Sequence, residues 1–145
     1  MVIDKYTLGM AGEYAVCSEL LRRGINASIT MGNAKATDVV VFCKTVNGNS
    51  YKKIEVKTTQ TTKFVTNFFK KYYTPDLPHP DIWILVHIDR DLKARFFILT
   101  HEELASIQME RNNINIWQKS EGCDNVLLKD IEPYENMWDK ILLEK

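Results

Sequence analysis

The chain has 145 residues, of which 45% are hydrophobic and 26% charged, ordinary proportions for a folded globular protein. Its length suits one domain over residues 1–145. It contains no run of about 18 apolar residues, which argues against a membrane protein. The first ten residues lack the basic-then-apolar pattern of a secretion signal, so we expect a cytoplasmic protein.

The charge is distributed unevenly along the chain, although the formal net charge is zero. Residues 1–71 hold 11 Lys and Arg against 5 Asp and Glu, a net of +6, whereas residues 72–145 hold 8 against 14, a net of −6. Such asymmetry either marks a basic binding face or cancels where the halves mix in space. Cys17, Cys43 and Cys123 form no CxxC pair, which indicates buried free thiols and argues against structural zinc.

The first predicted element is a helix over residues 9–23, with an apolar stripe at helical spacing. Arg22 and Arg23 form a basic last turn, and Gly24 provides the stop. A short strand is predicted over residues 26–31.

A hairpin follows this strand. Residues 36–43 are rich in β-branched side chains and predict a strand. Asn47-Gly48 is a strong signal for a two-residue turn. Residues 51–58 then form the returning strand.

The second half of the chain adds two more predicted strands. Residues 63–73 are basic and aromatic, and their pattern does not distinguish helix from loop. Apolar strands are predicted over Ile82–Ile88 and Arg95–Leu99. The order of elements predicts an α/β fold with a mixed central sheet flanked by helices.

Two helices are predicted after the last of these strands. Thr100 and Glu103 match a capping box, which predicts a helix that runs to about Arg111. The last fifteen residues predict a terminal helix more weakly.

Asp38 interrupts the first predicted hairpin strand, where an acidic residue is unexpected, and Glu55 and Lys57 lie in the returning strand. If Asn47-Gly48 forms the turn, Asp38 lies opposite Lys57, and Val40 lies opposite Glu55. The period of two then brings Asp38, Glu55 and Lys57 to one face of the sheet. A register shift of two residues preserves this arrangement, whereas a shift of one separates Asp38 from the other two.

Glu13 adds a fourth charged group on the apolar side of the first helix, which we expect to pack on the sheet. Asp38 and Glu55 can supply carboxylates to Mg²⁺, with the Val56 backbone carbonyl as a further oxygen ligand. Lys57 can orient a water or offset charge on a phosphate. The pattern predicts hydrolysis of phosphodiester bonds by a metal-activated water.

These residues resemble the motifs of the PD-(D/E)XK nuclease superfamily, which includes restriction endonucleases and archaeal-type Holliday junction resolvases. The resemblance covers about the first 60 residues and is closest to small prokaryotic domains that are either resolvase-like or uncharacterised restriction-endonuclease-like nucleases. Its pieces are Gly12-Glu13, the segment from Gly32 to Asp38, and Ile54-Glu55-Val56-Lys57-Thr58. Thr37 stands in place of the name-giving proline.

The resemblance implies a restriction-endonuclease-like core of the αβββ-αβ type. It also implies that Asp38 and Glu55 bind Mg²⁺, with Mn²⁺ as a substitute, and that Lys57 assists the water. Glu13 supports the site in this comparison, and Gln60 lines it.

A basic and aromatic segment offers candidate contacts to nucleic acid. Its lysines and aromatic side chains suit phosphate contact and base stacking, and they equally suit a solvated surface over a core. A homodimer interface is a further interpretation of the aromatic residues. Lys35 precedes Asp38 in a predicted loop and is either a phosphate contact or a solvated lysine. The candidate nucleic-acid contacts are Lys35, Lys53, Gln60, Lys63, Lys70 and Lys71.

Two hypotheses follow from the sequence. The first is an Mg²⁺-dependent endonuclease that hydrolyses DNA. The second is a catalytically inactive nuclease-like fold that binds nucleic acid or a protein, which the neutral net charge favours. The sequence does not distinguish DNA from RNA as the partner.

Overall fold

The computed structural model of the protein describes residues 2–30, 37–119 and 124–142. Within these ranges, no helix has both the length and the apolar character needed to cross a membrane. The structure is a mixed α/β fold in which helices flank a five-stranded sheet.

The helices and strands occur in the following order along the chain. They are α1 (Lys5–Arg22), β1 (Ala27–Ile29), β2 (Val39–Thr45), β3 (Gly48–Thr59), β4 (Lys63–Val65), α2 (Phe68–Lys71), β5 (Ile82–Ile88), β6 (Ala94–Thr100), α3 (His101–Arg111), β7 (Asn125–Leu127), α4 (Leu128–Ile131), a 3-10 turn (Glu132–Tyr134) and α5 (Asp139–Leu142).

The main sheet has the strand order β1-β2-β3-β5-β6. The long strand β3 pairs antiparallel with β2 over its first half and parallel with β5 over its second half. The remaining strands, β4 and β7, form a separate antiparallel pair. The second half of β3 therefore lies at the centre of the sheet, where β2 no longer accompanies it.

A hydrophobic core covers each face of the sheet. On one face, Val16 and Leu20 of α1 pack with Ile54 of β3 and with alternate residues of β2, β5 and β6. On the other face, Trp83 and Leu85 of β5 pack with α2 and α3. The apolar run of β5 is continuous because the strand is covered on both sides.

The first helix begins four residues earlier than the sequence predicts. Asp4 caps it by accepting a hydrogen bond from the Thr7 N–H at 3.0 Å. Further along, Gly12 lies directly against β3: a Cβ built there would be 1.8 Å from the Thr58 Oγ1. Glycine at this position lets α1 approach the sheet closely enough to bring Glu13 beside it.

The predicted register of the hairpin is wrong by two residues. Thr45 pairs with Gly48 and Val39 pairs with Ile54, so the two-residue loop is Val46-Asn47. Gly48 begins β3 with a φ of +122°, a conformation that glycine adopts freely. Asp38 is therefore not opposite Lys57: its N–H donates to the Ile54 carbonyl, and its carboxylate accepts a hydrogen bond from the Val56 N–H. Glu55 and Lys57 share one face of β3 by the period of two, whereas the Asp38 carboxylate takes a place in the ladder beside Val56.

The structure also settles the segment that the sequence left open. Residues 63–73 contain β4 and the single-turn helix α2, separated by Asn67 in the left-handed region. The capping box of Thr100 and Glu103 is confirmed, and α3 ends at Arg111 as predicted. The terminal helix is shorter than predicted, since α5 covers only Asp139–Leu142 of the described residues.

Candidate active site

Asp38 lies where β2 and β3 separate, immediately before β2 begins. Its backbone N–H donates to the Ile54 carbonyl at 2.9 Å, and its carbonyl accepts from the Thr30 N–H at 3.0 Å. Its side-chain Oδ2 accepts a hydrogen bond from the Val56 N–H at 2.8 Å. The Asp38 side chain thus accepts the hydrogen bond that a backbone carbonyl of β2 would otherwise accept from Val56. These three hydrogen bonds fix the position of Asp38.

Glu55 lies on the central strand and is 4% exposed. Its Oε1 accepts a hydrogen bond from the Tyr72 hydroxyl at 3.1 Å, and its Oε2 lies 3.4 Å from the Lys57 ammonium. The Lys57 side chain is 26% exposed, so it extends from the buried carboxylate toward solvent. The buried carboxylate therefore has both a neutral donor and a cation, as buried charges require.

Glu13 and Asp38 are electrostatically coupled across the junction of α1 with the sheet. Burial, and then the negative charge of Asp38, raise the pKa of Glu13 to about 7. Burial also raises the pKa of Asp38, while the Val56 N–H, Lys57 and Lys71 oppose that rise. Two carboxylates held in proximity with raised pKa values are typical of sites that bind a cation or a proton.

The structure brings the four predicted catalytic residues together. Glu13 comes from α1, Asp38 from the start of β2, and Glu55 and Lys57 from one face of β3. Val56, whose backbone carbonyl is the predicted third metal ligand, borders Asp38 through its own N–H. In a strand, the N–H and C=O of one residue point to the same side, so this carbonyl also faces the Asp38 side.

Tyr72 is a site residue that the sequence analysis missed. It is 5% exposed, and its ring packs against Phe68, Trp83 and His101. Burial, followed by the charge of Glu55, raises the pKa of its hydroxyl above the ordinary value, so it stays a donor. The signal in the sequence was the helical spacing of Phe68 and Tyr72, but it does not reveal which strand the hydroxyl meets.

The predicted nucleic-acid contacts lie in different places. Lys71, at the end of α2, is close enough to Asp38 to lower its pKa. Lys70 is exposed on the same turn, and Lys63 is exposed at the start of β4. Lys53 is half-buried on β3, on the same face as Glu55.

The two remaining predicted nucleic-acid contacts are Gln60 and Lys35. The Gln60 Oε1 accepts a hydrogen bond from the Ile3 N–H at 2.9 Å, so this side chain ties the N-terminal segment to the end of β3. Lys35 lies outside the described residues.

The aromatic residues of the 63–73 segment are core residues and not a stacking surface. Phe64, Phe68 and Phe69 are at most 1% exposed, and Tyr72 is nearly as deeply buried. Tyr73 is the exception at 41% exposure. The base-stacking interpretation of this segment is therefore wrong for its four buried rings, because the separate β4–β7 pair and α3 cover them.

The donor set at this site fits a hard divalent cation. Mg²⁺ takes one or two protein carboxylates and keeps several waters, and the Asp38 and Glu55 carboxylates both interact with Lys57. Within the described ranges, no group of three or more His, Cys, Asp or Glu side chains is placed to enclose a metal ion.

Comparison with known proteins supports the fold. No protein-family model and no curated protein sequence matches the chain. The structure is similar to that of a bacterial homing endonuclease, I-Ssp6803I, with a TM-score of 0.54 over 97% of this chain and 94% of that chain. The identity is 14%, so the likeness shows a nuclease-like fold and leaves the activity to be argued from the site.

Proposed function

We propose that the protein is a PD-(D/E)XK-type, Mg²⁺-dependent endonuclease that hydrolyses DNA phosphodiester bonds. The observation that carries the proposal is the convergence of Asp38, Glu55 and Lys57 at the point where β2 leaves β3, with Glu13 beside them. A carboxylate pair that can hold a divalent cation, next to a lysine, is suited to phosphodiester hydrolysis. The similarity in fold to a homing endonuclease supports the same class.

Each residue has a distinct part in the proposed reaction. Asp38, Glu55 and the Val56 carbonyl would hold the cation, which when bound lowers the pKa of a water and offsets phosphate charge. Lys57 extends toward solvent and offers its ammonium to the developing charge on the scissile phosphate. The Tyr72 hydroxyl donates a hydrogen bond to the Glu55 carboxylate and so fixes its orientation. Glu13, with a pKa of about 7, can take up or release a proton near neutral pH.

Cleavage of labelled plasmid, single-stranded and branched DNA with Mg²⁺ or Mn²⁺ tests the proposal. We expect cleavage by the native protein and a loss of at least about 100-fold in Asp38→Ala and in Lys57→Ala. Lys93→Ala is the matched control for loss of a lysine, because Lys93 is exposed in the β5–β6 turn. RNA of the same sequence, included as a substrate, determines which nucleic acid is cleaved.

The outcomes separate three readings of the protein. Equal activity in the native and variant preparations identifies a contaminant. Cleavage that is lost in Lys57→Ala but survives in Asp38→Ala, or the reverse, contradicts the role assigned to the residue whose loss is tolerated. No cleavage by any preparation contradicts the endonuclease and favours the binding-module hypothesis.

A further inference from the structure

The β2–β3 hairpin has one face covered by the core and one face open. On the covered face, Val39, Val41 and Ile54 are at most 1% exposed. On the opposite face, Phe42 is 50% exposed and Tyr51 is 62% exposed. These two aromatic residues are direct cross-strand partners, so both side chains leave the hairpin at neighbouring positions on the open face.

The same open face carries positive charge. Lys44 and Lys53 lie two residues from Phe42 and Tyr51 respectively, and alternation along each strand places all four side chains on one face. The nearest acid on the neighbouring segment, Asp81, is engaged by the backbone N–H of Lys53 at 2.8 Å. Two exposed rings flanked by two lysines form a surface of apolar planes and cations, which we call the hairpin platform (Phe42, Lys44, Tyr51 and Lys53).

The hairpin platform is continuous with the candidate active site. Tyr51, Lys53, Glu55 and Lys57 are alternate residues of β3 and share its face. At about 3.3 Å per residue, Tyr51 is about 13 Å from Glu55 along the strand. This is a span of a few nucleotides, so a strand lying on the platform would reach the site.

We propose that the hairpin platform binds unpaired nucleotides next to the bond that is cleaved. Bases stack on Phe42 and Tyr51, and Lys44 and Lys53 pair with the flanking phosphates. A flat sheet face that presents aromatic rings suits splayed bases, because every base has a face that can stack, whereas paired bases hide theirs within a duplex. The inference rests on the proposed function and names its substrate class: nucleic acid with a single-stranded segment at or beside the scissile phosphate.

The inference is tested by measuring the binding of a fluorescein-labelled oligothymidine of about 12 nucleotides by fluorescence anisotropy. EDTA is present so that no divalent cation supports cleavage. Phe42→Ala and Tyr51→Ala should each weaken binding roughly fivefold or more, since stacking contributes that much per base. The ring-preserving pair Phe42→Tyr and Tyr51→Phe should bind like the native protein. A duplex of the same length should bind more weakly than the single strand.

The matched control is the double variant Tyr6→Ala and Tyr14→Ala. Both tyrosines are exposed on α1, at 78% and 59%, and α1 packs on the opposite face of the sheet. This variant should bind the oligonucleotide as the native protein does. Urea denaturation of every variant shows that lost binding is not lost folding.

The inference is overturned if the native protein does not bind the single strand, or if the Phe42→Ala and Tyr51→Ala variants bind it unchanged. A preference for the duplex that depends on the same two rings also overturns it. A different result would reject the proposed function alone. If single-strand binding depends on the two rings but no cleavage follows on adding Mg²⁺, the protein is not the proposed nuclease, and the binding role of the hairpin platform is retained.

Discussion

The Asp38 carboxylate accepts a hydrogen bond from the Val56 N–H at 2.8 Å, in the position where a backbone partner from β2 would otherwise stand. One side chain therefore both ends the β2–β3 ladder and holds a negative charge next to Val56, the residue that follows Glu55. The structural and chemical roles of Asp38 can be separated, because an amide can accept the same hydrogen bond without the charge.

Asp38→Asn should retain the fold and lose the activity. The amide oxygen replaces the carboxylate as acceptor for Val56, and removal of a half-buried charge offsets any loss. We expect the free energy of unfolding to stay within about 1 kcal/mol of the native value. Asp38→Ala leaves the Val56 N–H without this partner and should cost about 1–3 kcal/mol. Urea denaturation measures both, and equal stability of the two variants would contradict the assigned bond.

Tyr72→Phe removes the hydroxyl that donates to Glu55 and leaves the packed ring in place. If Glu55 binds the metal as proposed, loss of the hydrogen bond that orients its carboxylate should reduce metal affinity or cleavage about 10- to 100-fold. The free energy of unfolding should fall by about 1–2 kcal/mol. The rate of cleavage at several Mg²⁺ concentrations measures the effect. Tyr73→Phe, a change at the exposed neighbour, should leave both quantities unchanged.

Gly12→Ala should destabilise the protein, because the new methyl group would lie 1.8 Å from the Thr58 Oγ1. The helix must move away from β3, at a cost of about 1–3 kcal/mol. Gly9→Ala is the control: nothing lies within 4 Å of a Cβ there, and alanine favours the helix. Thermal denaturation should give a lower melting temperature for the first variant and an unchanged or higher one for the second.

A partner variant tests the cause of that loss. Thr58→Ala removes the Oγ1, so the double variant with Gly12→Ala should recover part of the stability. Strict additivity of the two changes would show that the helix and strand do not meet at this point.

His101 should make the fold sensitive to acid. Burial, and then the neighbouring ring of His79 stacked at 3.8 Å, lower the pKa of His101 to about 3. In the unfolded chain, the pKa of His101 has its ordinary value of about 6.5. As the pH falls, the unfolded chain therefore binds a proton at this ring before the folded protein does. Stability contributed by the neutral ring is present above pH 6.5 and is lost as the pH falls toward 3, by up to about 1.4 kcal/mol per unit.

His101→Gln keeps an acceptor for the Trp83 N–H and removes the titration. The difference in unfolding free energy between pH 7 and pH 4.5 should be smaller in this variant by roughly 2 kcal/mol. An unchanged difference in His101→Gln would show that this ring is not the group that titrates.

Much of the fold follows from local pattern. The strands of the hairpin and β5–β6 are visible as β-branched or apolar runs, and Thr100 with Glu103 marks the start of α3. Asp38, Glu55 and Lys57 could be predicted as candidates because charges within strands are conspicuous, and Glu13 because it lies on the apolar side of the first helix.

The register and the long-range contacts could not be found in this way. Asn47-Gly48 marks a turn, but which two residues form the loop depends on tertiary pairing, and the structure uses Val46-Asn47. Tyr72 meets Glu55 only because α2 folds back over the sheet, and β7 pairs with a strand about 60 residues earlier. No periodicity within one segment encodes such contacts.

The central claim is that Asp38 and Glu55 together form a divalent-cation site. Calorimetric titration of the native protein with Mn²⁺, beside Asp38→Asn, Glu55→Gln and the exposed control Glu110→Gln, tests it most directly. We predict binding by the native and control proteins, and at least about tenfold weaker binding by the two site variants. No binding by the native protein, or equal binding by all four proteins, would contradict the claim.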